Sequence, residues 1–388
     1  MILIEILGCL GGFLWVAIFF LPWRPWSTRE HFEAERSPSH SNSDLSNISV
    51  LIPARDEEKE IASTVRSLNS QGRGLKVILI DDQSKDQTVL IARQNAMDIQ
   101  FQVLSGSDLP KGWAGKLWAL EQGRQIVTTP LILLMDADIE FEPGTIAALQ
   151  SKMTSERLDF VSLMAELRMQ TFWEKFLIPA YIYFFKLLYP FSLGNSLKSK
   201  LGVAAGGCVL LKVEFLEKIG GFGALRGALI DDCTLASKIK REGGRTWVGL
   251  THSVKSHRDY SDLKHIWNLV ARSAYTQLRY SPLLLVGCTL AMITMFWMPL
   301  VVATVLHPHN SPIISCLCIV GIMTMFMTYK PTLYFYELSP LWVFLMPIMG
   351  TLYLAMTWTS AFRYWLGRGS EWKGRYYARD LVKKNEAA

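Results

Sequence analysis

The chain has 388 residues, enough for one large domain or two ordinary ones, and half of them are hydrophobic, with 19% charged and 12% aromatic. An apolar excess concentrated at the two ends excludes an ordinary soluble protein, and a net charge of only +6 without a nucleic-acid motif or aromatic-basic stripe excludes a nucleic-acid partner. Six scattered cysteines, four of them (Cys9, Cys288, Cys316 and Cys318) in the apolar ends, give neither a zinc spacing nor a disulfide framework. Cys208 and Cys233 read as small buried residues.

The first stretch, "MILIEILGCLGGFLWVAIFFLP", is long enough to cross a bilayer and carries only Glu5 as a charge. It lacks the basic n-region and small-residue cleavage site of a signal peptide, so residues 1–23 read as a retained membrane anchor. Two Trp with Arg24 and Arg29 follow, as expected where a helix leaves the membrane on the cytoplasmic side. Residues 24–47, with "SPSHSNSD", form a polar linker.

From residue 48 the pattern changes. "ISVLIPARDEEKEIASTVRSL" is a continuous apolar strand, a turn and a helix, and "KVILIDDQSKDQTVLIARQNA" repeats that plan. "IQFQVL" is a further strand, "WAGKLWALEQGRQIV" a helix and "PLILLMD" a strand. Apolar runs alternating with helices imply an α/β fold with a mainly parallel sheet, helices on both faces, and ligands beyond the carboxyl ends of the strands.

That edge collects Pro53, Arg55, Asp56 and Glu57 after one strand, Asp81 and Asp82 after the next, and Asp136 and Asp138 after a later one. Asp231 and Asp232 follow further on. Each cluster alone has an ordinary reading, such as capping for Asp86 or a turn for Asp81 and Asp82. Together, like charges side by side call for a cation, and a divalent metal (Mg or Mn) is the economical one, since it also carries a nucleotide diphosphate. Neither Gly-rich phosphate fingerprint is present.

The segment 172–191 is apolar but holds Glu174, Lys175, Lys186 and Pro179. A full crossing there would place the Asp136 and Asp232 clusters on opposite sides of a membrane, so the segment is expected in the interface or packed on the domain. Three further apolar runs, about 283–306, 311–329 and 338–362, carry prolines at 299, 331, 340 and 347. Three crossings would set the basic tail, residues 363–388, outside, against the positive-inside rule, so one run is expected to be re-entrant or interfacial, or to cross twice. The tail's charge suits anionic headgroups.

"VLIPARDEE", "ILIDDQSKDQT", "LLMDADIEFEPG", "AAGGCVLLKVEFLEKIGGF" and "LIDDCTLASKIKREGG", in that order over about residues 48–250, resemble glycosyltransferase family 2. "LPKGWAGKLWAL", "DFVSLMAELRMQTFWEKFLIPAYIYFFKLLYPF" and "VARSAYTQLRYSP" resemble, more narrowly, the hopene-associated glycosyltransferases. The resemblance implies a GT-A fold, a metal-bound nucleoside diphosphate sugar (a UDP-sugar first) and a lipid acceptor such as a hopanoid. It also implies a bacterial inner-membrane, multi-pass protein with a cytosolic GT-A domain over 48–282 and a membrane region over 283–362.

Carried over by residue, the resemblance puts Pro53, Arg55 and Glu57 at the nucleotide, with Asp81 or Asp82 holding uracil or ribose. Asp138 becomes the main metal ligand, and Asp136 faces the ribose or the metal. Lys116 lies near the donor, Gly206, Gly207 and Trp113 near the acceptor, and Arg272 at the diphosphate. Asp232 aligns with the general base, with Asp231 standing where the family usually has Glu. The QxxRW signature of processive members is missing, which implies a single transfer. Rival acceptors are ceramide-like, carotenoid and polyprenyl-phosphate lipids, and a rival class is a non-catalytic membrane protein that binds nucleotide sugar or lipid.

Overall fold

The computed structural model describes residues 1–34, 43–228, 230–306 and 311–367, and the backbone of 371–372 and 375–376. Most of the "SPSHSNSD" linker, the "HPHN" break and most of the basic tail lie outside the described residues. The chain forms two compact units, one of Glu30–Arg168, Leu193–Asp259 and Glu371–Ala388, the other of Met1–Arg29, Met169–Ser192 and Tyr260–Ser370.

The first unit is built on eight strands: β1 (Ile48–Ala54), β2 (Lys76–Asp81), β3 (Gln100–Ser105), β4 (Leu131–Met135), β5 (Ile139–Phe141), β6 (Phe160–Leu167), β7 (Cys208–Lys212) and β8 (Thr246–Ser256). They lie in the order β3-β2-β1-β4-β7-β6-β8-β5. β1 to β4 run parallel, β7 runs antiparallel to both β4 and β6, and β6 is again parallel to β8. Every residue of β1 and β4 is buried, as a central strand covered by helices on both faces requires. The edge strand β3 is half exposed.

Register decides what meets at the carboxyl edge. Ala54 pairs with Asp81, and Met135 pairs with Cys208, so the turns after β1, β2 and β4 and the Gly206-Gly207 turn before β7 share one side of the sheet.

Among the described residues the second unit holds four helices long and apolar enough to cross a membrane by length and composition: Ile2–Phe20, Pro282–Thr304, Pro312–Phe335 and Pro340–Trp365. The helix Ile2–Phe20 packs through glycines. A Cβ on Gly11 would lie 2.1 Å from the Thr294 carbonyl oxygen, and one on Gly321 would lie 2.3 Å from the Gly12 Cα. Such close backbone approach is how small residues join apolar helices where water gives no driving force.

The helix Phe172–Leu188 belongs to this unit too, so the expected single domain over 48–282 is interrupted. A capping box between Thr171 and Glu174 starts it. Its partners are the spanning-length helices: Tyr183 and Thr328 share a 2.8 Å hydroxyl hydrogen bond, and Tyr353 donates to the Leu177 carbonyl at 2.8 Å. Lys186 is buried and donates to Thr332 Oγ1 at 3.1 Å and to the Ser27 carbonyl at 3.2 Å.

Candidate active site

One pocket at the carboxyl edge of the sheet brings together Pro53, Lys116, Asp136, Gly206, Asp231 and Asp232 over an apolar floor of Leu117, Leu134 and Phe222. β1 delivers Pro53, β4 delivers Asp136 one residue past its end, and the helix Gly115–Arg124 presents Lys116 from its first turn. The helix Asp231–Arg241 opens with the aspartate pair, where the unsatisfied backbone N–H groups favour negative charge.

Lys116 Nζ sits 2.5 Å from Asp136 Oδ1. Burial alone would push this ammonium down, but Asp136, Asp231 and Asp232 together hold it above its ordinary value. The Asp232 carboxyl goes the other way: burial first, then the adjacent Asp231, push it up to about 7. Its Oδ1 accepts the Cys233 N–H at 2.8 Å. Its Oδ2 faces Gly206, where a Cβ would lie 3.4 Å from that oxygen and 3.6 Å from Lys116 Nζ. A group approaching over Gly206 therefore meets both a proton acceptor and a cation.

The other acidic groups stand around this pocket. Asp138 is buried, with Oδ2 accepting the Ser256 hydroxyl at 2.5 Å and Oδ1 accepting Arg258 Nη2 at 3.3 Å. Arg258 also reaches Glu57 at 3.3 Å, tying the turns after β1, β4 and β8 into one knot. Arg55 Nη1 donates to the Asp82 carbonyl at 2.6 Å, and Asp81 Oδ1 accepts the Ser84 N–H at 3.1 Å, a turn-closing role.

Three further residues named from the sequence have the following surroundings. A Cβ on Gly207 would lie 3.1 Å from Ile139 Cδ1, so that glycine serves packing. Trp113 is buried in the apolar cluster beside Leu117 and Phe222, with the Arg226 guanidinium 4.4 Å over its ring, and does not line the pocket. Arg272 lies in the helical unit, just past the helix Leu263–Ala271. Arg258 and Ser256 were not singled out in the sequence; their only signal is polar "SHRD" at the end of a strand aimed at this same edge.

Among the described residues no three His, Cys, Asp or Glu side chains converge as a ready metal cage. Asp136 and Asp138 nevertheless stand two residues apart past the end of β4, and carboxylate oxygens are the ligands Mg and Mn prefer.

Residues 49–220 match the family described as "Glycosyl transferase family 2". A 4,4'-diaponeurosporenoate glycosyltransferase of Staphylococcus haemolyticus is 36% identical over 93 residues, 24% of this chain and 24% of that protein. One from Staphylococcus aureus is 34% identical over 94 residues, again 24% of each. The chain thus matches about a quarter of the length of these curated relatives. The mannosyltransferase PcManGT of Pyrobaculum calidifontis, solved with GDP-Man and Mn2+, superposes with a TM-score of 0.55 at 17% identity, covering 92% of this chain and 99% of that one. That likeness is one of fold, the GT-A fold.

Proposed function

We propose that the chain is an inverting glycosyltransferase that moves one sugar from a nucleoside diphosphate sugar to a lipid acceptor at a membrane. The observation that carries this reading is the meeting of Lys116, Asp136, Asp231 and Asp232 in one pocket, with Gly206 against Asp232 and Lys116. The GT-A fold and the glycosyltransferase family 2 domain support it, and so do four helices of spanning length.

In this reading Asp232 takes the proton of an acceptor hydroxyl while that oxygen bonds to the anomeric carbon. The bond from that carbon to the β-phosphate oxygen breaks, and the nucleoside diphosphate leaves with the electron pair. Lys116 holds negative charge on the diphosphate, releasing some of its hold on Asp136. Asp136 and Asp138 would hold a divalent ion, which would compete with Arg258 for the Asp138 carboxylate. Bound there, the ion would neutralise charge growing on the leaving group. Pro53 shapes the wall at the nucleotide, while the Arg55–Asp82 pair fixes the neighbouring turn.

The names of the curated relatives support a carotenoid-type acceptor beside the hopanoid suggested by the sequence resemblance. In this reading the catalytic unit works in the cytosol of a bacterial cell, on the inner membrane, as the sequence resemblance implies. The test is nucleoside diphosphate release by purified full-length protein in detergent. UDP- and GDP-sugars would be offered with carotenoid, hopanoid or polyprenyl-phosphate lipids and Mg or Mn. Asp232→Asn is expected to lower kcat at least a thousandfold with donor affinity kept, and EDTA to stop turnover until metal is restored. Tight nucleotide-sugar binding without release under any acceptor would replace the transferase by a binding protein.

A further inference from the structure

A second pocket, of about 380 Å³, opens at the opposite edge of the sheet. β6 runs antiparallel to β7, which is antiparallel to β4, so the starts of β6 and of its parallel neighbour β8, where Phe160 pairs with Thr246, lie away from the catalytic edge. The pocket is lined there by the end of the helix Thr145–Ser155, the turn at Asn195 and Leu197, and Arg245 to Trp247.

Its charge is unbalanced. Arg157 and Arg245 both line it, and neither guanidinium has a partner among the described residues. Arg245 Nε is buried without a hydrogen bond, a cost that an acceptor would remove. The nearby carboxylates are committed elsewhere: Glu156 to Lys152 at 2.6 Å, and Asp159 to Lys212 at 2.7 Å and to the Arg245 backbone N–H at 2.8 Å. Arg157 is held at φ 55°, a left-handed conformation that a side chain adopts at some cost. Lys198 and Lys200 stand exposed in the loop that supplies Leu197.

We propose that this pocket is a phosphate site, in which Arg157 and Arg245 grip a phosphate mono- or diester. Guanidinium groups match phosphate oxygens in paired, charge-assisted hydrogen bonds. The apolar wall is Leu197, 68% exposed, with Leu158 and Trp247. It suits a phosphate that carries a short apolar or glycerol arm, as a lipid headgroup does.

The test is isothermal titration of the full chain in maltoside detergent with inorganic phosphate, with dihexanoyl-phosphatidylglycerol and with its zwitterionic phosphatidylcholine counterpart. At least one anionic probe is expected to bind saturably, with Kd raised tenfold or more in Arg157→Gln/Arg245→Gln. Arg157→Lys/Arg245→Lys, which keeps charge and loses the fork, should fall between and guards against a folding defect in the first variant. Lys116→Gln, at the catalytic edge, should leave the arginine-dependent binding intact. Phosphatidylglycerol binding without phosphate binding identifies a lipid headgroup; equal binding of both identifies the phosphate alone. No saturable binding of either anion, or binding indifferent to both arginine variants, overturns the proposal.

Discussion

Asp232 carries the sharpest expectation at the level of single residues. With its carboxyl at about 7 through burial and then Asp231, it is charged above that pH and protonated below it. A proton acceptor works only when charged, so kcat/KM should fall about tenfold per pH unit below about 7 and level off above. Asp231→Asn removes one cause that raises the value, and the acid limb should move to lower pH. A pH–rate profile that stays put in that variant would remove Asp231 from the electrostatics of the base.

The acidic clusters were legible because carboxylates after buried strands need a cause and the strands announce the edge. Arg258 was not, since an arginine after a strand reads as a surface charge until register places it between Asp138 and Glu57. Trp113, which the resemblance puts near the acceptor, packs in the apolar cluster with Leu117 and Phe222.

The helix Asp231–Arg241 is fastened along its length to the segment that precedes β7. At its far end Lys240 Nζ lies within hydrogen-bond reach of four carbonyls, those of Leu193, Ser196, Ser199 and Leu201, at 3.1 to 3.4 Å. A Cβ on Gly202 would lie 2.1 Å from the Ser237 nitrogen, and the Cys233 thiol donates to the Ala204 carbonyl at 3.3 Å. The run ends at Gly206, beside Asp232. Lys240→Met should cost about 1–3 kcal/mol and open the 193–201 loop to trypsin at Lys198 and Lys200, seen by limited digestion. An unchanged digestion pattern would show that the loop keeps its shape without the ammonium.

Helix packing in the other unit gives a matched pair. Gly12→Leu, where a Cβ would already lie 3.0 Å from the Leu317 carbonyl oxygen, should lower the melting temperature in detergent, by overpacking worth about 1–3 kcal/mol. Gly287→Leu, with nothing within 4 Å, should leave it unchanged.

Elements of this kind were readable to different degrees. β1, β2 and β4 stand out as apolar runs, but β7, "CVLLK", is equally apolar. A strand buried on both faces shows no alternation to reveal its direction. The helix Phe172–Leu188 was expected in the interface or packed on the domain because of its charges; Glu174 Oε2 caps its first turn and Lys186 donates to the Thr332 hydroxyl.

On the scale of the whole molecule, the helical unit is discontinuous, gathered from three stretches of chain with the sheet unit encoded between them. Deleting residues 2–20 should leave the protein in the membrane fraction through an alkaline wash, because three further helices of spanning length remain. It should also lower the melting temperature, since Val302, Cys318 and Gly321 lose their partner. Release of the deleted protein by the wash would assign the attachment to the first helix alone.

The Trp15 indole donates to the Met295 carbonyl at 2.8 Å across 280 residues of sequence. At about 5–20 residues per second of synthesis, that partner emerges some 15 to 60 s after the tryptophan. Throughout that interval the first helix waits in the growing chain with its glycine seam uncovered. Biogenesis, rather than the finished protein, is therefore where substitutions along that seam should first be felt, as nascent chains lost to quality control before any sugar is transferred.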